Sequence, residues 1–177
     1  MRILHVVPSY IPAWRYGGPI HSVHGLCKAL AARGHEVDVA TTNVDGDGDS
    51  DVPLERPVAL DGVRVHYFPS RRLRRLYYSP RMRAFLQREV PRYDLVHTHS
   101  VFLWPTSAAA SVARAASKPY VLSPRGMLVR DLIERRSGWL KRAWISAFER
   151  RNVKEAAAIH VTSASEGADL LALGLHP

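Results

Sequence analysis

The chain has 177 residues, 46% hydrophobic and 23% charged, which is the mixture of one ordinary globular domain and excludes disorder. Its one cysteine, Cys27, excludes an intrachain disulfide framework and points to a reducing compartment. No apolar run reaches the ~20 residues of a membrane span, and the formal charge of +9 lies on one side: residues 1–62 hold five Lys/Arg and eight Asp/Glu, residues 63–177 twenty and eight. A one-sided basic field calls for an anionic partner, whether phosphate, membrane surface or nucleic acid.

Short apolar runs alternate with helical patterns. A first strand over residues 2–7, too short in its apolar part for a secretory signal, leads into a Pro- and aromatic-rich loop ending in Gly17-Gly18. Pro19 suits a helix start, because its missing N–H is not needed there. Ile20, Val23, Cys27, Leu30 and Ala31 then share one helical face, and Gly34 stops the helix. A second strand covers 36–42. Residues 45–62 read as a long polar loop. Val63, Val65 and Tyr67 alternate with Arg64 and His66, a half-exposed third strand over 63–68 near a sheet edge. An Arg-rich helix follows at about 79–90 and a fourth strand at 94–98. A small-residue helix at 106–116, a fifth strand at 120–123, and a helix at 137–157 with Leu140, Trp144, Ala147 and Phe148 on one face come next. A sixth strand at 158–162 and a last helix at 165–173, ended by Gly174, complete the pattern. Strands alternating with helices predict an α/β fold: a Rossmann-like, doubly wound parallel sheet in three α/β/α layers, with strand order 3-2-1-4-5-6. Ligands then bind at the carboxyl ends of the strands, near the switch between the first and fourth.

Several residues fall at those ends. Gly17 and Gly18 precede a helix whose free N–H groups and dipole can hold a phosphate, with glycine allowing close approach; no G-x-G-x-x-G or P-loop is present, and a plain glycine turn is the other reading. His97 and His99 lie two apart on one strand face. They could chelate a metal, for which no third ligand is evident, or one could face the crevice as acid, base or donor; a pair of buried, satisfied histidines is the bland alternative. Arg125 and Gly126 follow the fifth strand, and the Arg fork suits phosphate or carboxylate unless it pairs with a neighbouring acid. Asp45, Asp47, Asp49 and Asp51 resemble a calcium loop only loosely: Ser50 and Arg56 stand where Gly and Glu are required, so a solvated loop is expected. Residues 71–92 carry eight Arg and one Glu, and residues 130–154 carry eight Lys/Arg and three acids, each with interleaved aromatics. Such stretches suit anionic lipid or a nucleic-acid backbone, or are simply solvated faces.

The ordered set resembles glycosyltransferase family 4. The opening Arg2-Ile3-Leu4-His5-Val6-Val7-Pro8 with Gly17-Gly18-Pro19 is similar to that family's start, as are Ala31, Gly34, His35, Glu36 and Val37 before the second strand. Asp94-Leu95-Val96-His97-Thr98-His99 resembles its fourth strand, Ser123-Pro124-Arg125-Gly126-Met127-Leu128 a segment of its bacterial polysaccharide branch, and Glu149-Arg150-Arg151-Asn152 and Thr162-Ser163-Ala164-Ser165-Glu166 have counterparts. The resemblance implies the N-terminal, acceptor-side half of a GT-B fold, with residues 1–177 one Rossmann-like domain. A nucleotide-sugar-binding C-terminal domain with a Glu-x7-Glu motif lies outside this chain, which alone should be inactive.

It further implies a retaining transferase that moves a sugar from a nucleotide-sugar to a glycan or lipid-linked acceptor in surface polysaccharide or glycolipid synthesis. No metal and no cofactor are expected, the nucleotide-sugar being substrate. His99 would be the catalytic-site residue facing the transferred sugar, and Gly17, Gly18, Arg125, Gly126 and Glu166 the donor-phosphate or substrate-binding set. Residues 71–92 and 130–154 would rest on an anionic membrane, placing the protein in the cytoplasm or on the membrane's inner face. The competing expectation is a non-catalytic module binding an anionic glycan, lipid or nucleic acid; no nucleic-acid-binding motif supports the last.

Overall fold

The computed structural model describes residues 1–128, 144 and 148–175. Its elements, in chain order, are β1 (Arg2–Val6), α1 (Gly18–Ala32), β2 (Glu36–Thr42), β3 (Val44–Asp45), β4 (Gly48–Asp49), β5 (Val58–Leu60), β6 (Val63–Phe68), α2 (Pro80–Glu89), β7 (Leu95–His99), α3 (Trp104–Ala115), β8 (Tyr120–Ser123), α4 (Arg150–Lys154), β9 (Ala158–Ile159) and α5 (Ala164–Ala172). Among the described residues no helix is long and apolar enough to cross a membrane.

Seven strands form one sheet in the order β5-β6-β2-β1-β7-β8-β9. All neighbours run parallel except β5, which pairs antiparallel with β6. The six parallel strands thus follow the expected 3-2-1-4-5-6 order. Parallel strands are buried on both faces, and successive side chains point to opposite ones. Leu4 and Val6 of β1 accordingly join one apolar cluster with Met82, Phe85 and Leu86 of α2 and the alanines of α3. Val7, Val37, Val39, Val63 and Val65 face Val23 and Cys27 of α1 in the other. Ala108, Ala109, Ala110 and Ala113 are buried, so α3 lies close on its strands. Ser79 caps α2 by accepting from Met82 N, and Pro80 occupies the first turn.

The expected loop over 45–62 holds more structure than its polarity suggests. β3 and β4 make a two-stranded ribbon, and β5 returns along β6 through Asp61-Gly62. Both of those residues have positive φ, 50° and 80°, as a two-residue I′ hairpin requires. The expected helix at 137–157 falls largely outside the described residues, which retain Trp144 and α4. β9 is shorter than the expected sixth strand, although His160 N still bonds Leu122 O.

Asp38 is buried on β2 beneath Arg64 and His66 of β6. Burial alone would raise its carboxyl; the hydrogen bonds from His66 and Arg64 outweigh that and hold it below the usual range. On the same face of the sheet, toward its other edge, Glu149 is buried and accepts from Trp144 Nε1, Phe102 N and Asn152 Nδ2 at 2.9–3.2 Å.

Candidate substrate groove

The carboxyl ends of β1, β7 and β8 meet at the switch point, where β1 feeds α1 toward one side of the sheet and β7 opens the other. His5 and His97 are register partners across β1 and β7, and His99 lies opposite Ser123 of β8. Their side chains share the α1-side face. His97 and His99 rings are 4.1 Å apart, His5 stacks on His99 at 5.2 Å, and His160 beyond β9 lies 5.3 Å from His97. His5 and His99 have no exposed surface. Burial first, and then the neighbouring imidazoles and Arg125, push His5 down to about 3, His97 to about 2 and His99 well below its ordinary value. All three stay neutral near pH 7.

The polarity of this cluster follows from one donor. Arg125 approaches His99 Nδ1 through Nε at 3.4 Å and Nη2 at 3.2 Å. A guanidinium only donates, so His99 Nδ1 carries a lone pair and its single proton is on Nε2. That proton goes to His5 Nδ1, 2.9 Å away, which leaves the His5 proton on Nε2. Nε2 of His5 is buried without a hydrogen-bond partner. The chain Arg125→His99→His5 therefore runs one way, and both nitrogens of His99 are engaged. His99 lies beneath Arg125 rather than open to solvent.

Arg125 owes its position to a turn. Met127 N bonds Pro124 O, and Arg125 and Gly126 both have positive φ, 57° and 74°. A left-handed non-glycine residue costs about 1–2 kcal/mol. Glu166 offsets this: Oε1 accepts from Gly126 N at 2.5 Å, while Oε2 accepts from Thr162 N and Oγ1 at 2.6 and 2.8 Å. Ser163 caps α5 by accepting from Glu166 N. The Glu166 carboxylate is thus buried and bonded within the fold; it positions the turn rather than facing a ligand.

Arg125 Nη1 also donates to Ser22 Oγ at 3.1 Å, one helical turn beyond Gly18 on α1. This contact links His99 to the helix that Gly18 begins. Gly17, at φ 62°, is the N-cap of α1, with no side-chain cap and no acid in the first turn. A Cβ built at Gly17 or Gly18 would meet nothing within 4 Å, so the helix start is open. Beside it a hollow of about 170 Å³ is bounded by Ser9, Tyr16, Pro19, Tyr77, Ser100 and Leu103 among others. The helix start and the residue after His99 therefore border the same space.

His5, His97 and His99 place one nitrogen each within 4.8 Å of one another, the one such trio among the described residues that could hold a metal ion. The Arg125 cation on His99 Nδ1 opposes a divalent ion there. The acidic loop is bound up in ion pairs, Asp45 with Arg15 and Asp49 with Arg74.

An open, glycine-started helix and a cation thus lie together at the switch point of a parallel sheet in an α/β domain. The model of the glycosyl transferase 4-like domain matches residues 17–177, and the chain belongs to that family. No curated protein sequence matches it. Crystal structures of Anabaena Alr3699/HepE, in complex with UDP and glucose and in complex with UDP-glucose, align with a TM-score of 0.63 at 19% identity. They cover 100% of this chain and 43% of the HepE chain. A putative UDP-N-acetylglucosamine 2-epimerase from Listeria monocytogenes aligns at 0.54 with 14% identity, over 99% of this chain and 43% of its own. The fold is the Rossmann-like half of a GT-B architecture, and the chain spans less than half the length of these structures.

Sequence reasoning brought Gly17, Gly18, His99, Arg125 and Gly126 to one rim. It missed His5, His160 and Ser22. The signal for His5 was available: the expected order sets the first strand beside the fourth, and His5 shares the parity of His97. Ser22 carried no signal, being one polar residue on an exposed helical face.

Proposed function

We propose that this chain is the acceptor-side domain of a retaining glycosyltransferase. It works with a nucleotide-sugar-binding partner domain, and the acceptor is a glycan or lipid-linked sugar of surface polysaccharide or glycolipid synthesis. The observation that carries this is the groove in which the open start of α1, Ser22 and Arg125 converge above His99. As the glycosidic bond to a nucleoside diphosphate breaks, negative charge gathers on the leaving diphosphate. The N–H of Gly18 at the helix start and the Arg125 guanidinium stabilise it, while Gly17, whose N–H is taken by Trp14 O at 3.0 Å, supplies the turn that leaves the helix start open. His99 holds Arg125 in place; it meets a sugar hydroxyl once Arg125 leaves its Nδ1. Glu166 and Gly126 fix the turn that carries the cation. The basic-aromatic segments accompany an anionic acceptor or the membrane surface that presents it, with Leu73 exposed among Arg71, Arg72, Arg74 and Arg75.

The test is UDP release from UDP-glucose by the protein that contains this chain together with its partner domain, over a panel of glycan and lipid-linked acceptors. Arg125→Ala and Gly18→Ala should each lower the acceptor-dependent rate at least about tenfold while the fold persists. Residues 1–177 alone should release no UDP. Full turnover by Arg125→Ala, or turnover by the isolated chain, would refute the reading.

A further inference from the structure

The two basic-aromatic segments are far apart in sequence, yet the fold brings parts of both to one cavity. It lies between α2, α3 and α4, on the face of the sheet opposite α1, and has a volume of about 370 Å³. Arg83 of the first segment meets Trp144, Phe148 and Arg151 of the second, with Trp104 and Arg114 of α3 between them. We propose that this cavity binds an anionic saccharide: a one- or two-residue stretch of a carboxylate-bearing glycan.

The lining argues for that class. Trp104, Trp144 and Phe148 offer aromatic faces, which pack against the C–H faces of pyranose rings. Ser107, Ser111 and Asn152 add hydroxyl and amide groups at the scale of sugar hydroxyls. Three guanidinium groups face the space, and guanidinium forks match carboxylates. The nearby exposed carboxylate, Glu155, is shared by Arg114 and Arg151 at 3.1 and 2.9 Å. Arg83 has no partner among the described residues, so the cavity carries uncompensated positive charge. Glu149 is turned away and taken up by Trp144 Nε1, Phe102 N and Asn152.

Size and continuity narrow the occupant further. The volume sits at the small end of the ~300–1,000 Å³ range of ligand sites, suiting a saccharide unit better than a lipid with two acyl chains. A membrane surface asks for protruding side chains, whereas these aromatics wall a concavity. Tyr78 meets Trp104 edge-on at 5.0 Å and carries the wall on to a second hollow bordered by Arg71, Arg72 and Arg81. Two basic hollows joined by an aromatic pair fit a linear anionic polymer better than a single small anion. Binding here does not depend on the transferase reading, because no donor sugar takes part.

Calorimetric titration of the chain with trigalacturonate, cellotriose and inorganic phosphate tests the proposal. Trigalacturonate should bind saturably and cellotriose and phosphate should not. Arg83→Ala, at an exposed residue without a side-chain partner among the described residues, should weaken binding about tenfold, the size of one charge-assisted contact. Ser111→Trp, at an exposed position on α3, should fill the cavity and abolish binding with the melting temperature unchanged. Equal binding of trigalacturonate and cellotriose would overturn the proposal, as would unaltered binding by a folded Ser111→Trp variant. So would binding of polyuridylate or phosphatidylglycerol vesicles with none of trigalacturonate.

Discussion

Acidification should destabilise this domain well above the pH at which carboxylates protonate. His5 and His97 are held at about 3 and about 2 in the folded chain, against roughly 6.5 when unfolded. A group whose folded pKa is depressed leaves its stability intact above the unfolded value. Below it, the unfolded chain takes up protons that the folded chain refuses, and stability falls with pH. One pH unit below 6.5, each such imidazole costs about 1.4 kcal/mol, so the pair costs about 3 kcal/mol at pH 5.5. His99 and His160 are shifted the same way and add to it. The loss is a large share of the ~5–15 kcal/mol of a typical domain. Asp38 and Glu89 contribute with the same sign only nearer the ordinary carboxylate range, so the window from pH 6.5 to 5.5 isolates the imidazoles. Urea unfolding at pH 7.5, 6.5 and 5.5 should show the midpoint dropping steeply between the last two. His5→Gln should shallow that dependence, since it removes one of the titrating rings. A midpoint flat from pH 7.5 to 5.5, or an unchanged slope in His5→Gln, would refute the neutral-cluster account.

Long-range proton–nitrogen NMR should place the His99 proton on Nε2; a proton on Nδ1 would contradict the polarity imposed by Arg125. Gly17→Ala should cost about 1–2 kcal/mol in unfolding experiments, because its φ of 62° is left-handed although space is free. Gly18→Ala should leave stability nearly unchanged and weaken nucleotide-sugar binding in the full protein, and equal melting losses for the two would undo that distinction. Glu166→Gln sets an amide donor against either Gly126 N–H or Thr162 N–H, so about 1–3 kcal/mol of stability should be lost. Thermal unfolding reads that loss, and a neutral substitution would remove Glu166 from its positioning role.

Much of the architecture was legible because periodicity reports burial on both sheet faces. β2, β6 and β8 fall at the expected residues, since apolar runs bounded by Gly, Pro or Asn leave little latitude. β5 escaped notice because three residues cannot establish a period, although Asp61-Gly62 carried the hairpin chemistry. At the rim, chain position identified Gly18, His99 and Arg125, as each follows or ends a strand. The role of Glu166 was not legible: a carboxylate near a helix start reads equally as a ligand contact or as a brace. Only its three hydrogen bonds to Gly126 and Thr162 distinguish the two. The burial of His99 likewise depended on a neighbour, Arg125, contributed by the turn after β8.

Glu149 has a consequence for communication across the sheet. A single carboxylate oxygen receives both the Trp144 indole and the Phe102 amide, and Phe102 stands three residues past His99 in a segment where Ser100 and Phe102 adopt left-handed backbone. A molecule that displaces the indole must lengthen one of those bonds or drag the amide with it. The outer helical layer and the backbone bordering the rim are therefore joined through one carboxylate oxygen.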